Sequence, residues 1–482
     1  MVAKVKTLKT FLVVATCAGF ICYFFCAPSQ ISKRAKVADA NNQRTQDLLE
    51  IGKKYVETLA RDNVTVTLFP SCGRFPDVQK DLNISDIMWQ VTNTTNGTFY
   101  LFNAYLDDRA AVNGSVVRLL GLINKIRPTV KTYCQMWFVG IIQPIPVEVH
   151  EYRVLWPEFW GDNTDGASPY LITCKNPLAS QGLVPEYVSL VEDKCAPANN
   201  MFPVSNKRPS GRRKTFLVCW RGANFGDDIS MQVVEWAEIL KIFEVDTVIV
   251  YVENLHENVM KVLHHYRCQG FFIIKFIKFP HEFPNRREQN FLQWLQSDLI
   301  SYHDAFYEYL YQYEFMIPMD IDEFIMPLLD EDRSWHDLIR RTNLLSTNNK
   351  QIIDSYPVMN RYFLLKSVHE PVEDVPKKFR FLSNIYRAEN FTAFGGGAKT
   401  FMRMERVLVL HNHFPVTCID PEYCHGIEVE TSVGQVSHYR TDCDGEECLA
   451  SLQNPVKDTR LWKYKDEILE NVYATLRAIG MD

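Results

Sequence analysis

The chain has 482 residues, enough for two domains and too many for one of ordinary size. With 46% hydrophobic and 13% aromatic residues, it can bury a sizeable core. A net charge of −6 weighs against nucleic-acid binding, whose footprint is basic, so no nucleic-acid partner is expected.

The run Phe11 to Ala27 is almost uncharged, with Lys4, Lys6 and Lys9 before it and Lys33, Arg34 and Lys36 after it. As a helix it spans about 25 Å, close to the ~27 Å core of an early secretory bilayer. Cleavage after Ala27 would put Phe25 near the cut, where a signal peptidase wants a small residue. The expectation is therefore a tail at 1–10, an uncleaved transmembrane signal-anchor at 11–27 that ties the chain to a membrane, and a polar stem at 28–60. Basic residues on both flanks leave the orientation to other features.

Those features are sequons and cysteines. Asn63, Asn83, Asn93, Asn96, Asn113 and Asn390 each begin an N-x-S/T tripeptide, so glycosylation would place everything after the anchor in the lumen. Beyond the anchor stand Cys72, Cys134, Cys174, Cys195, Cys219, Cys268, Cys418, Cys424, Cys443 and Cys448. This even count suits disulfides in an oxidising lumen. Cys418/Cys424 and Cys443/Cys448 are close enough for local pairs, while Cys219, in an apolar run, also suits a buried thiol.

Residues 61–205 hold five of the sequons and short β-like runs, such as Tyr133 to Ile142 and Glu148 to Leu155, and read as a β-rich accessory lumenal domain. Asn199 to Arg213 reads as a linker. From Lys214 onward strands and helices alternate. The pattern predicts strands at Thr215–Trp220, Thr247–Val252, Phe271–Phe276 and Phe315–Met319. Helices are expected from an N-cap at Ser230 to Phe243, over Glu257–Arg267, and over Arg287–Tyr311. The fold class is α/β, with a parallel sheet whose ligands bind beyond the carboxyl ends of its strands.

Asp320-Ile-Asp322-Glu323 follows the fourth predicted strand. Two carboxylates at this spacing can hold Mn²⁺ or Mg²⁺ at a strand end or serve as a turn or helix cap. A metal there would neutralise the diphosphate leaving a nucleotide-sugar. Asp330-Glu-Asp332 and Asp442-Cys-Asp444 follow no apolar strand and read as solvated loops.

The segments Phe216-Leu-Val-Cys-Trp, Val233-Val-Glu-Trp-Ala-Glu, Met319-Asp-Ile-Asp-Glu-Phe and Ser437-His-Tyr-Arg together resemble glycosyltransferase family 92. The resemblance covers roughly Lys214 to Trp462. It implies a GT-A-like (nucleotide-diphospho-sugar transferase) catalytic domain at 214–465 and a single-pass type II protein of the Golgi membrane. It also implies metal-dependent, inverting transfer of galactose from UDP-galactose to a glycan or glycoprotein acceptor, with the core fucose of N-glycans as a candidate. The same D-x-D would serve another UDP-sugar equally well.

Carried over, Asp322 is a metal ligand, and Asp320 binds the metal or the ribose. A late histidine, His438 or His413, completes the metal set. Arg440 and Lys399 are candidates for stabilising the departing diphosphate. Glu323 is a general base or a support for the metal ligands. Asp304 is a nucleotide contact or an exposed helix carboxylate. The rival readings are a glycan-binding protein without turnover and a metal-assisted phosphohydrolase. A zinc site among His411, His413, Cys418, Cys424, His425, Cys443 and Cys448 lacks the usual ligand order. Trp220, Trp236, Trp294, Trp335 and Trp462 suit either sugar stacking or core, with Trp236 and Trp294 at core spacing.

Overall fold

The computed structural model describes residues 72–481 except 86–87, 126, 162–165, 284–288, 347–351, 366–374, 394–396, 420–422 and 441–453. The anchor and stem expected at 11–27 and 28–60 lie outside these residues, as do Asn63, Cys443 and Cys448. Among the described residues no helix is long and apolar enough to cross a membrane.

Ten strands form the first sheet: β1 (Ile84–Ser85), β2 (Trp89–Thr94), β3 (Gly97–Asp107), β4 (Val116–Ile123), β5 (Tyr133–Trp137), β6 (Ile145–Glu148), β7 (Glu151–Val154), β8 (Ser168–Lys175), β9 (Tyr187–Val191) and β10 (Phe202–Ser205). Their order is β6-β5-β9-β10-β3-β4-β8-β7, with β2 also on β3 and β1 on β2. β4 is buried along its whole length because both of its faces are covered. The β-like run expected at Tyr133 to Ile142 stops at Trp137, and Gly140, at φ 74°, turns the chain. β10 falls inside the expected linker: it pairs antiparallel with β9 and parallel with β3. Cys72–Cys195 and Cys134–Cys174 are disulfides.

The second sheet runs β13-β12-β11-β14-β19-β16. Four strands are parallel: β11 (Lys214–Phe225), β12 (Thr247–Leu255), β13 (Phe272–Phe276) and β14 (Tyr313–Pro318). They are joined by α1 (Ser230–Ile242), α2 (Glu257–Cys268) and α3 (Phe291–Glu308). Two helix starts differ from expectation. Ser230 is the first residue of α1 rather than its cap, and the Asp228 carboxylate takes its N–H. α3 begins at Phe291 because the Asn290 side chain caps it by accepting from Gln293 N–H. β15 (Glu323–Pro327) leaves the second sheet for a third, ordered β15-β22-β17-β18-β23, in which β17 is Asn360–Leu364, β18 Tyr386–Arg387, β22 Gly434–Arg440 and β23 Val456–Lys457. β16 (Ser355–Val358) and β19 (Lys399–Arg403) complete the second sheet, and β20 (Val407–Leu410) pairs with β21 (Pro415–Cys418).

Strand alternation divides the core. Phe216, Val218 and Trp220 face α1 and α2. Leu217 and Cys219 face α3 and share a core with Trp89, Tyr105 and Leu120 of the first sheet. The helix α3 is thus buried between two sheets. Cys219 is a buried free thiol, and Cys418 pairs with Cys424 in a disulfide, which removes both from the zinc reading. Asp332, expected in a solvated loop, is buried and paired with Arg341.

A buried charge knot ties the first sheet to the second unit. Arg109 Nε and Nη2 donate to Asp107, each at 2.8 Å, while its Nη1 donates to the carbonyls of Met404 and Val407, each at 2.6 Å. Arg118 Nε donates to the same Asp107 at 2.7 Å. Burial would raise the Asp107 carboxyl, but the two guanidiniums hold it well below the usual range. Replacing one partner of such a set strands the other charge. Arg109→Ala should therefore lower unfolding stability by about 3–5 kcal/mol in denaturant titrations. Arg109→Lys should recover little, since one ammonium cannot serve both the carboxylate and two carbonyls in that fork.

Candidate active site

The strand order puts β14 and β13 on opposite sides of β11, so the connection reverses direction at β11/β14. Ligands of such sheets bind outside the carboxyl ends at that reversal. Two groups stand there. Asp320-Ile-Asp322 follows β14, and Arg221 lies near the end of β11, beside a bulge that includes Gly222 at φ 43°.

The Asp320–Glu323 turn is fixed by its backbone. Met319 N–H bonds to Cys219 O at 3.0 Å, and Glu323 N–H to Asp320 O at 3.3 Å. Gln232 Nε2 donates to Ile321 O and Trp236 Nε1 to Glu323 O, so α1 clamps the turn from below. Tyr439 N–H bonds to Asp322 O at 2.8 Å, and the antiparallel β15/β22 ladder pairs Glu323 with His438. The Asp320 and Asp322 side chains remain 30% and 29% exposed over a base that is otherwise sealed.

Beneath the turn lies Lys399, wholly buried. Its Nζ meets Glu323 Oε1 at 2.7 Å, Asn412 Oδ1 at 2.7 Å and Asp320 Oδ2 at 3.3 Å. Burial would raise Asp320, but Lys399, Arg221 and His438 hold its pKa far below the usual range. Burial lowers Lys399, yet the two carboxylates more than restore it, so it stays charged. Three acceptors and no exposure keep Lys399 from reaching a departing diphosphate, the role expected for it. Glu323 is sealed likewise: its side chain is 1% exposed, and its Oε1 also takes Asp320 N–H at 2.9 Å. Burial pushes its pKa up against the pull of Lys399 and His438. A general base must reach an acceptor hydroxyl, and this carboxyl faces inward.

His438 connects the two sides. Its Nε2 lies 3.5 Å from Asp322 Oδ2 and its Nδ1 3.4 Å from Glu323 Oε2. Among the described residues neither Nδ1 nor Oε2 closes a hydrogen bond, and both are buried. Burial would lower this imidazole, but the two carboxylates raise it above its ordinary pKa. Adjacent donors on one octahedral cation stand about 3 Å apart, so Asp322 and His438 fit a shared divalent ion. Glu323 behind the ring fits the carboxylate that orients a metal-binding histidine. Among the described residues no third His, Cys, Asp or Glu already converges with them.

His413 is held differently. Its Nδ1 bonds to Ala398 O at 2.8 Å, and burial, Lys399 and His411 push its pKa down to about 3, so it is neutral. Arg440 shares a face of β22 with His438, but its guanidinium lies 5.7 Å from the Tyr362 ring, which itself packs 5.2 Å from His438. It stands one side chain back from the carboxylates.

Asp304 lies apart from this group, and is not the exposed carboxylate considered as its alternative. It is buried on α3, where Tyr105, Tyr251, Asn103 and Lys275 all donate to it. These donors lie on β3, β12 and β13, so the carboxylate joins the two sheets. Sequence reasoning missed Arg221. Its Nε lies 3.5 Å from Asp320 Oδ1, its Nη1 pairs with Asp298, and its guanidinium lies 4.6 Å from the Trp294 ring. The available signal was its place just after the apolar run Thr215–Trp220, at the end of a parallel strand. Trp294, assigned to the core by spacing, borders this opening.

The model of glycosyltransferase family 92 matches residues 214–472, more than half of the chain. No curated protein matches it. The match takes in Arg221, the carboxylate turn, Lys399 and His438, and leaves the ten-stranded sheet outside.

A structural role for Lys399 differs measurably from a role on a leaving group. Lys399→Met strands the buried Glu323 carboxylate and takes a cation from Asp320, and should lower stability by about 3–5 kcal/mol in denaturant titrations. Unchanged stability would show that Lys399 is free to serve a ligand.

Proposed function

The chain belongs to glycosyltransferase family 92, and from that premise we propose that it is a metal-dependent, inverting galactosyltransferase. UDP-galactose is the donor and a glycan the acceptor, with the core fucose of N-glycans as candidate. The observation that carries this reading is the half-open pair Asp320 and Asp322 at the chain reversal of a parallel sheet, with His438 Nε2 3.5 Å from Asp322. In this reading the catalytic part, 214–465, is a GT-A-like domain, to which 61–205 is the accessory domain.

Asp322 and His438 would hold Mn²⁺ or Mg²⁺, which supplies positive charge for the leaving diphosphate. Asp320 binds the ion or the ribose. Glu323, whose Oε2 stands 3.4 Å from His438 Nδ1, would keep the ring turned toward Asp322, as second-layer carboxylates do at metal sites. Arg221, 14% exposed beside Asp320, takes the diphosphate-facing role that the sealed Lys399 cannot fill.

A lumenal place at the Golgi membrane, with 11–27 as a type II anchor, accords with the disulfides Cys72–Cys195, Cys134–Cys174 and Cys418–Cys424. Asn83, Asn93, Asn113 and Asn390 are exposed, while Asn96 is half-buried in the β2–β3 turn.

The purified full-length chain, given Mn²⁺, UDP-galactose and core-fucosylated N-glycans, should release UDP only when acceptor is present. Chelator should abolish release, and Asp322→Ala should reduce it by roughly 10²-fold or more. No turnover with any UDP-sugar by a folded chain would favour a glycan-binding protein instead. Released inorganic phosphate would favour a phosphohydrolase.

Chain made in secretory cells should run faster on gels after N-glycosidase treatment, and Asn113→Gln should remove one step of that shift. Unchanged mobility would remove the lumenal placement.

A further inference from the structure

Isolated exposed apolar residues are ordinary, but clusters of them mark contact surfaces. Phe159 is 84% exposed, more than any other large hydrophobic residue among those described. Its ring lies 5.6 Å from Trp160, which packs 4.9 Å from His411. Gly161 beside them faces Leu292 at the start of α3: a Cβ built on it would sit 3.9 Å from Leu292 Cδ2. One residue before Leu292 is Phe291, 52% exposed and 5.9 Å from Trp294.

The cluster reaches the carboxylate turn by two routes. Arg221 lies 4.6 Å from the Trp294 ring and 3.5 Å from Asp320. Asn412, the residue after His411, accepts from Lys399, which also contacts Asp320. Among the described residues His411 Nδ1 is buried without a hydrogen-bond partner, a polar atom left over within an aromatic wall.

We propose that Phe159, Trp160, Phe291 and Trp294 form the acceptor subsite, on which a pyranose ring of the glycan stacks next to the donor sugar. The proposal rests on the transferase reading above. An acceptor must sit beside the donor, and this surface borders the turn assigned to the donor. A pyranose offers an apolar C–H face for aromatic rings and hydroxyls at its rim for groups such as His411. A bilayer is the poorer occupant, because the anionic headgroups would meet Asp320 and Asp322 at the edge. Phe159 and Trp160 precede β8, outside the matched residues 214–472. The part of the chain that carries the ten-stranded sheet would then take part in selecting the acceptor.

The test uses the full-length chain in detergent and calorimetric titration with a core-fucosylated biantennary N-glycan and its unfucosylated counterpart. Phe159→Ala, at a position too exposed to affect folding, should weaken binding about five- to tenfold. In turnover the acceptor KM should rise by the same factor while the donor KM moves less than twofold. Ile142→Ala, 60% exposed elsewhere, serves as the control and should change neither. Calorimetry needs no turnover: an inactive wild type whose glycan binding is weakened by Phe159→Ala would sink the transferase reading and keep the platform. Unchanged glycan binding in both Phe159→Ala and Phe291→Ala would overturn the platform, as would a wild type that binds neither glycan. A variant that loses self-association in sedimentation, with glycan binding intact, would assign the surface to a second copy and overturn it too.

Discussion

A charge on a helix buried between two sheets is stable only when it is paired, and α3 carries three carboxylates, Asp298, Asp304 and Glu308, into that position. Asp304 is the central one. Burial alone would neutralise it, but Lys275 and the hydroxyls of Tyr105 and Tyr251 keep its pKa down to about 2, so the charge persists. Removing one partner of a buried charged set is far more costly than the set is worth in total. This makes the geometry specific: β3, β12, β13 and α3 must arrive together or the carboxylate is stranded. Glu308 repeats the device one turn later with Lys275 and Lys207, and Asp298 repeats it nearer the helix start with Arg221.

The last of these pairs transmits the constraint to the opening. Arg221 is held by Asp298 from below and by the Trp294 ring from the side, which leaves its Nε beside Asp320. Lys399 approaches the same carboxylate from β19. Asp320 is thus ionised by fixed cations rather than by water, and so is preorganised for a ligand. Asp322 differs: its partner is the imidazole of His438, a group that can give up its proton and with it its charge. One turn therefore presents a carboxylate locked by permanent charge beside one paired with a group able to change its own.

The alternation from Lys214 was legible because four short apolar strands separated by amphipathic helices admit few other readings. Asp320 and Asp322 were legible from their place after the fourth strand. Lys399 and Glu323 were named, but their burial was not visible, since a charged residue in sequence reads as solvent-facing until its partners are known. Asp304 failed for the same reason: its donors lie on β3, β12 and β13, and no local pattern ties these together. Arg221 was missed because its meaning depends on strand order, and only the reversal at β11 places it opposite Asp320. Trp294 sits at core spacing on its helix, yet that part of the helix emerges from between the sheets. The parallel placement of β10 on β3, inside a segment rich in Pro and basic residues, rests wholly on long-range pairing.

The ten-stranded sheet cannot be regarded as a detachable appendage. Leu217, Cys219, Ile249 and Met316 of the second sheet share one apolar core with Trp89, Tyr105, Leu120 and Leu171 of the first. Trp89 donates its indole N–H to Lys278 O, and Arg109 to the carbonyls of Met404 and Val407. Residues 214–472 taken alone would uncover Phe306 and Tyr307 of α3, which Arg109 and Tyr105 of the first sheet now cover, an apolar patch of a kind that soluble domains rarely leave open. They would also strip Tyr105 and Asn103 from the Asp304 carboxylate. The shared core and the shared charge knot therefore act on the same element. Whatever fixes α3 against the first sheet also fixes Asp298, Arg221 and the side of the opening that Trp294 lines.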